Sequence, residues 1–229
     1  MKVDTQNKNK ALESLILDPA QIIFLDANFF IPPDRSGLKV KTISFSKFCE
    51  IWLDPIFEEF SHLAVHEAVY NELVASAVKA YADAKQSENP SKLRVYSDKE
   101  LTTIEHSLME TYISRLAEYS QYVPELDNAK DRGEIRSLSF MAVKKFLYFA
   151  ANDTLPRRLI RDADKLQTGL DDMGLLEMYD VIYYLYRTDR YPKDGLRLLY
   201  KYEYYLTPRE KKENPNWGDF IQAMECLYG

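Results

Sequence analysis

Short unbroken apolar runs alternate along this chain with stretches in which apolar residues recur every three or four positions. Ile22-Ile23-Phe24-Leu25 is a run without polar interruption, stopped by Asp26-Ala27-Asn28. Such a run reads as a strand buried on both faces, as in a parallel sheet. Residues 62–65 (HLAV) and 146–151 (FLYFAA) read the same way, the second ending at Asn152-Asp153. Helical spacing fills the intervals. Phe48, Trp52, Ile56 and Phe60 follow Ser44 or Ser46 as cap; Val69, Leu73, Ala77 and Ala80 form a second set. Ser97-Asp98-Lys99-Glu100 reads as a capping box opening a helix with Leu101, Ile104, Leu108, Tyr112 and Leu116 on one face. A further helix begins at Asp131-Arg132-Gly133-Glu134 and carries Ile135, Leu138, Met141 and Ala142. Pro156 suits the first turn of another, with Leu159 and Ala163. Leu175, Tyr179, Ile182 and Tyr186 mark one more. Residues 31–42 and 86–94 are Pro-containing and polar or broken, and read as loops.

Short buried strands alternating with amphipathic helices predict an α/β fold, a three-layer α/β/α arrangement with a central parallel sheet plus additional helices. Residues 1–19 read as an N-terminal arm with a short helical piece. Residues 20–186 read as the α/β domain, with a helical insertion around 75–125, and 187–229 as a C-terminal helical extension packed on it. The tail places Leu196, Leu199 and Tyr200, then Phe220, Met224 and Leu227, at helical spacing, with Thr207-Pro208-Arg209-Glu210 as a capping box. Helices this short are marginal alone, so the tail is expected to be ordered and docked. The tyrosines at 183, 184, 186, 200, 202, 204 and 205 are expected to be core or interface residues rather than base-stacking platforms.

Composition narrows the function classes. At 229 residues and 46% apolar content, the chain is one large domain or one domain with an appended element. A formal charge of -6 argues against a uniformly basic surface, though not against a local basic patch. Seven glycines leave no glycine-rich phosphate loop. No apolar run approaches the ~20 residues of a membrane span. The opening MKVDTQNKNK has no apolar core, so no secretion signal is expected. Two cysteines, Cys49 and Cys226, are too few for a disulfide framework; a reduced cytoplasmic protein is the expectation.

The chemistry lies in the carboxylates. Asp26 and Asp153 each end a buried strand, while Glu72 and the pair Asp131 and Glu134 fall on first turns of helices. A parallel sheet brings strand C-termini and the following helix N-termini to one rim, so these acids can converge. Three or four carboxylates without Lys or His make an oxygen site for a hard divalent cation, Mg²⁺ or Mn²⁺. Each acid also has a plainer role. Asp26 suits a strand-end turn, Glu72 a solvated helix charge (with Glu67 competing for its place), Asp131 and Glu134 a capping box, and Asp153 an N-cap. Asp164 and Asp172 are further acids near the expected rim. His62, His66 and His106 have no acidic or cysteine partner at zinc-ligand spacing.

The segments Ile22–Asn28 (apolar strand, then Asp-x-Asn), Val69–Leu73 (ending Asn-Glu-Leu), Asp131-Arg132-Gly133-Glu134 and Phe149–Asp153 followed by Arg157-Arg158 resemble, in order, the four acidic motifs of the PIN-domain family. These are metal-dependent ribonucleases that include toxins of toxin–antitoxin pairs. The resemblance spans about residues 20–186. It implies a parallel sheet flanked by helices and an endoribonuclease acting on single-stranded RNA. Asp26, Glu72, Glu134 (or Asp131) and Asp153 would hold Mg²⁺ or Mn²⁺, with Asn28 and Asn152 supporting the ligands. Arg157, Arg158 and Arg161 would contact substrate phosphates, since Arg matches phosphate oxygens with a planar fork. An antitoxin-like protein or a second copy are the protein partners it suggests; no membrane partner is expected. A catalytically silent module of the same fold is the alternative reading. A phosphatase with Asp26 as nucleophile is poor, because Asn28 stands where a second Asp is needed.

Overall fold

The computed structural model describes residues 2–38 and 40–229; Met1 of the arm and Lys39 of the 31–42 loop lie outside the described residues. In chain order the elements are α1 (Lys10–Leu17), β1 (Ile23–Leu25), α2 (Phe45–Phe48), a π-helical turn (Cys49–Leu53), α3 (Asp54–Glu59), β2 (Leu63–His66), α4 (Glu67–Glu72), α5 (Ser76–Ser87) and β3 (Leu93–Tyr96). Then follow α6 (Thr103–Ala117), α7 (Arg132–Lys144), β4 (Tyr148–Ala150), α8 (Thr154–Arg161), α9 (Ala163–Leu166), β5 (Gly174–Leu176), α10 (Met178–Arg187), α11 (Lys193–Tyr204), α12 (Glu210–Glu213) and α13 (Trp217–Tyr228). Two compact units emerge, one of residues 20–31 and 62–175, the other of 1–19, 32–61 and 176–229.

The fold is α/β: a five-stranded, all-parallel sheet in the order β3-β2-β1-β4-β5, flanked by helices. The chain steps outward from β1 to β2 and β3, then returns to the other side of β1 with β4. The switch point therefore falls between β1 and β4, where open parallel sheets collect their ligands. Register sets the two strands level: Ile23, Phe24 and Leu25 pair with Tyr148, Phe149 and Ala150, and the Asp26 N–H donates to the Ala150 carbonyl at 3.0 Å. Both strands are apolar throughout because both faces are covered. Phe24 is fully buried, stacks on Tyr96 at 5.2 Å between ring centroids and lies against Phe140 of α7. Burial of one such side chain contributes about 1.5–3 kcal/mol.

Several expectations require correction. Residues 86–94 are not loop throughout, because β3 begins at Leu93. Leu175 lies in β5 rather than on the helix of Tyr179 and Ile182. Both are edge strands: β3 exposes Arg94 in its middle, which breaks the apolar run, and β5 is three residues opening on Gly174, whose two leucines also fit the spacing of the helix that follows. The single helix expected across Val69–Ala80 is two, α4 and α5, parted at Leu73–Ala75. The Ser97–Glu100 capping box forms, but it closes a 3-10 turn; α6 starts from a second box, Thr102 with Glu105. The buried face of α6 is Met109, Ile113 and Leu116, which leaves Ile104 and Leu108 exposed.

In the other unit, α10, α11 and α13 bury Tyr183, Tyr184, Tyr200, Tyr202 and Tyr204, as expected of amphipathic core tyrosines. Tyr200 stacks on Phe220 at 4.4 Å. The Thr207–Glu210 box is reciprocal: the Glu210 N–H donates to Thr207 Oγ1 at 3.1 Å, and the Thr207 N–H to Glu210 Oε2 at 2.9 Å. Arg35 pairs with the other Glu210 oxygen at 2.9 Å, so this buried acid is neutralised. Among the described residues, no helix is long and apolar enough to cross a membrane.

Candidate metal centre

Asp26 leaves β1 at the switch point and is 2% exposed. Its Oδ2 accepts from Asn28 Nδ2 at 2.6 Å, and Asn28 Oδ1 accepts from the Asn152 N–H at 3.3 Å. One amide thus ties the ends of β1 and β4 together and fixes the Asp26 carboxylate. Asp153 follows Asn152 at the start of α8, exposed and making no side-chain cap bond, so the N-cap role is not the one its carboxylate plays. Glu134 sits in the first turn of α7. Asp26, Glu134 and Asp153 place carboxylate oxygens within 4.8 Å of one another, a group able to hold a metal ion.

The electrostatics match that crowding. Burial, then the charges of Glu134 and Asp153, push the Asp26 carboxyl well above its ordinary value. Burial, with Glu72, Asp153 and Asp131 adding to it, raises Glu134 to about 7. Among the described residues no Lys or Arg pairs directly with any of the three; Lys130 pairs with Asp131 at 3.1 Å and reaches Glu134 and Asp153 through space. Such a donor set, all oxygen and short of positive charge, suits a hard divalent cation.

Glu72 stands beside this group. Its Oε1 accepts from the Gly133 N–H at 3.0 Å, satisfying an otherwise open donor at the start of α7. Burial raises its carboxyl, and the Gly133 N–H and Arg132 hold part of that rise back. A Cβ at position 133 would stand 2.7 Å from both Glu72 oxygens, so the close approach requires glycine. Gly133→Ala is therefore expected to destabilise by about 1 kcal/mol, the size of a lost helix-terminal bond. In a Glu72→Ala background the same change should cost nothing. Urea melts of the four proteins check this; additive effects would disconnect Gly133 from Glu72.

Asp131 takes a different path. Its backbone is left-handed (φ 59°) and makes no side-chain cap bond, so the expected capping box with Glu134 does not form. Its Oδ2 accepts instead from the Gln121 N–H at 2.8 Å. Of the two acids, Glu134 joins Asp26 and Asp153. Asp172 precedes β5 and so falls toward the N-terminal rim of the parallel sheet, away from the strand ends that carry Asp26 and Asp153, and Asp164 is exposed on α9. Arg158 and Arg161 are exposed on α8 and Arg157 is half-buried; Arg158 lies over the Tyr119 ring at 5.6 Å.

His66 does have an acidic partner, 32 residues away and invisible to local spacing. Its Nε2 meets Asp98 Oδ1 at 2.9 Å while Nδ1 accepts from the Ala68 N–H at 3.3 Å, so the neutral ring carries its proton on Nε2. Arg136 of α7 bonds the other Asp98 oxygen, and Glu67 accepts from the Asp98 N–H at 2.9 Å. Glu67 is thereby committed away from the Asp26 group. His66, Glu67 and Asp98 also lie within ligand reach of one another, yet these bonds already occupy them. Burial alone would raise Asp98, but His66 and Arg136 outweigh it and hold the carboxyl at about 2. A depressed folded value stabilises above the unfolded value of 3.8 and is lost as pH falls toward 2. Asp98→Asn should cost roughly 1–2 kcal/mol at pH 7 and flatten the acid limb between pH 4 and 2. Denaturant melts across that range would show a parallel, unflattened limb if the network contributed nothing.

No family model, curated protein or solved structure matches the chain.

Proposed function

We propose that the chain is a PIN-like endoribonuclease, hydrolysing phosphodiester bonds of single-stranded RNA with Mg²⁺ or Mn²⁺ in a reduced, cytoplasmic setting. One observation carries the reading: three carboxylates from separate segments, Asp26, Glu134 and Asp153, meet at the switch point, and among the described residues no cationic side chain pairs with them. A buried carboxylate in such company is costly unless positive charge arrives.

Asp26, Glu134 and Asp153 would hold the ion, which lowers the pKa of water and neutralises phosphate charge. Asn28 holds the Asp26 carboxylate in one orientation through its 2.6 Å bond. Glu72, anchored on the Gly133 N–H, supplies negative charge beside Glu134 and favours occupation by a cation. Arg158 supplies the positive charge that a phosphodiester needs close to so many acids.

The test is cleavage of an unstructured RNA by the full chain in Mn²⁺ or Mg²⁺, with chelator as control. Internal cuts that require the cation support the proposal. Intact RNA alongside tight Mn²⁺ binding would leave a metal-binding module without nuclease activity. Absence of both cleavage and Mn²⁺ binding would point to the catalytically silent reading.

Asn28 provides a graded check. Asn28→Ala should reduce cleavage about 10–100-fold, the usual cost of removing a group that orients a ligand. Unchanged cleavage would show that Asp26 is held by other means.

A further inference from the structure

A cleft of about 420 Å³ opens beside the carboxylates, between the α6–α7 connection and the start of α8. Glu134 and Asp153 form part of its wall, so whatever fills the cleft ends at the acidic group. The rest of the wall has a different character. Tyr119, Leu155, Lys130 and Arg158 bring aromatic, aliphatic and cationic surface together.

We propose that this cleft is a nucleotide subsite, taking one unpaired nucleotide next to the phosphate handled at the carboxylates. The proposal deepens the ribonuclease reading and rests on it for the identity of the chain to which that nucleotide belongs.

Size, chemistry and order agree on this ligand. The volume lies in the range of small-ligand pockets, roughly 300–1,000 Å³. Arg158 offers the planar fork that matches phosphate oxygens, and its guanidinium already lies over the Tyr119 ring at 5.6 Å. The Tyr119 hydroxyl donates to the Leu166 carbonyl at 2.8 Å, which fixes the ring before any ligand arrives. Less side-chain freedom is then lost on binding. Aromatic surface accepts any base by stacking, which suits a sequence-tolerant site. An acidic peptide fits worse: its carboxylates would meet Glu134, Asp153 and Asp131 without a flat ring to set against Tyr119 and Leu155. A paired nucleotide fits worse too, because its base is already stacked within a duplex.

The test titrates the full-length protein with each of the four nucleoside 5′-monophosphates, read by amide NMR shifts, with Mn²⁺ broadening around Asp26 recorded separately. Shifts are expected at residues 119–121, 154, 155 and 158 for at least one nucleotide. Arg158→Ala and Tyr119→Leu should each weaken that binding at least fivefold, and inorganic phosphate or a free nucleoside alone should bind less well than the nucleotide. Arg158 is exposed, whereas Tyr119 is half-buried and packs against the core, so unchanged shifts elsewhere in the Tyr119→Leu protein are needed to show that the fold is kept. Mn²⁺ binding and RNA cleavage without nucleotide shifts in the cleft overturn the subsite and leave the ribonuclease reading standing. Nucleotide shifts without Mn²⁺ binding or cleavage support the subsite and sink the ribonuclease reading. Equal affinity for nucleotide in the parent and both variants overturns the assignment of Tyr119 and Arg158.

Discussion

Asp26→Asn is expected to reduce divalent-dependent RNA cleavage by more than about 100-fold, beyond the loss expected for a supporting residue such as Asn28. The substitution keeps the shape of the side chain, and a carbonyl oxygen remains to accept from Asn28 Nδ2, as Asp26 Oδ2 does at 2.6 Å. What it removes is charge. Asp26 is buried beside Glu134 and Asp153, so its ionised form is disfavoured in the cation-free protein. The variant should therefore melt at the same temperature or higher without metal at pH 8, while gaining less than the parent when Mn²⁺ is added. Activity and stability then move in opposite directions, which distinguishes a lost ligand from a damaged fold. Cleavage at the parent rate would remove Asp26 from the proposed site.

The cation-free protein should lose stability between pH 5 and pH 8, with Glu134 alone contributing an amount on the order of 3 kcal/mol. Its folded carboxyl stands at about 7 against an ordinary 4.5, and each unit of such a difference corresponds to about 1.4 kcal/mol. A raised folded value means stability fully present below 4.5 and lost as pH rises through 7. Glu72, Asp153, Asp131 and Asp26 face Glu134 with like charge, and Lys130 opposes them. Asp26 shifts in the same direction. Asp98 acts oppositely and lower, below pH 4, so these groups together favour a stability maximum near pH 4–5. Glu134→Gln should flatten the neutral limb, and millimolar Mn²⁺ should abolish or reverse it. Urea melts at pH 5, 6.5 and 8 with chelator or Mn²⁺ measure both; a slope identical in parent and variant would show that Glu134 does not titrate as described.

Sequence pattern made some elements legible and not others, for reasons that differ from element to element. β1 and β4 are central strands, and packing on both faces demands the unbroken apolar runs that identify them. β3 and β5 lie at the edges: β3 exposes Arg94, and β5 is a three-residue segment whose Leu175 also fits helical spacing with Tyr179 and Ile182. The break between α4 and α5 carries no Gly or Pro to announce it. Nor did spacing reveal which face of α6 is buried, since both Leu108 and Met109 belong to plausible apolar stripes.

The same division runs through the acidic site. By itself the sequence determined that Asp26 and Asp153 terminate buried strands and that Glu134 opens a helix, because hydrophobic runs and helix starts are local signals. Tertiary structure decided the rest. Asp131 and Glu134 fall in one turn and looked equivalent until the left-handed backbone at Asp131 sent its carboxylate to the Gln121 N–H. Glu72 acquired the Gly133 N–H, His66 acquired Asp98, Asp98 in turn acquired Arg136, and Tyr119 came to lie under Arg158. Each of these pairings joins residues that chain topology brings together across 32 or more positions. Local patterning reports how a segment is covered; which side chains meet depends on strand order and register, and those are settled only when the sheet forms.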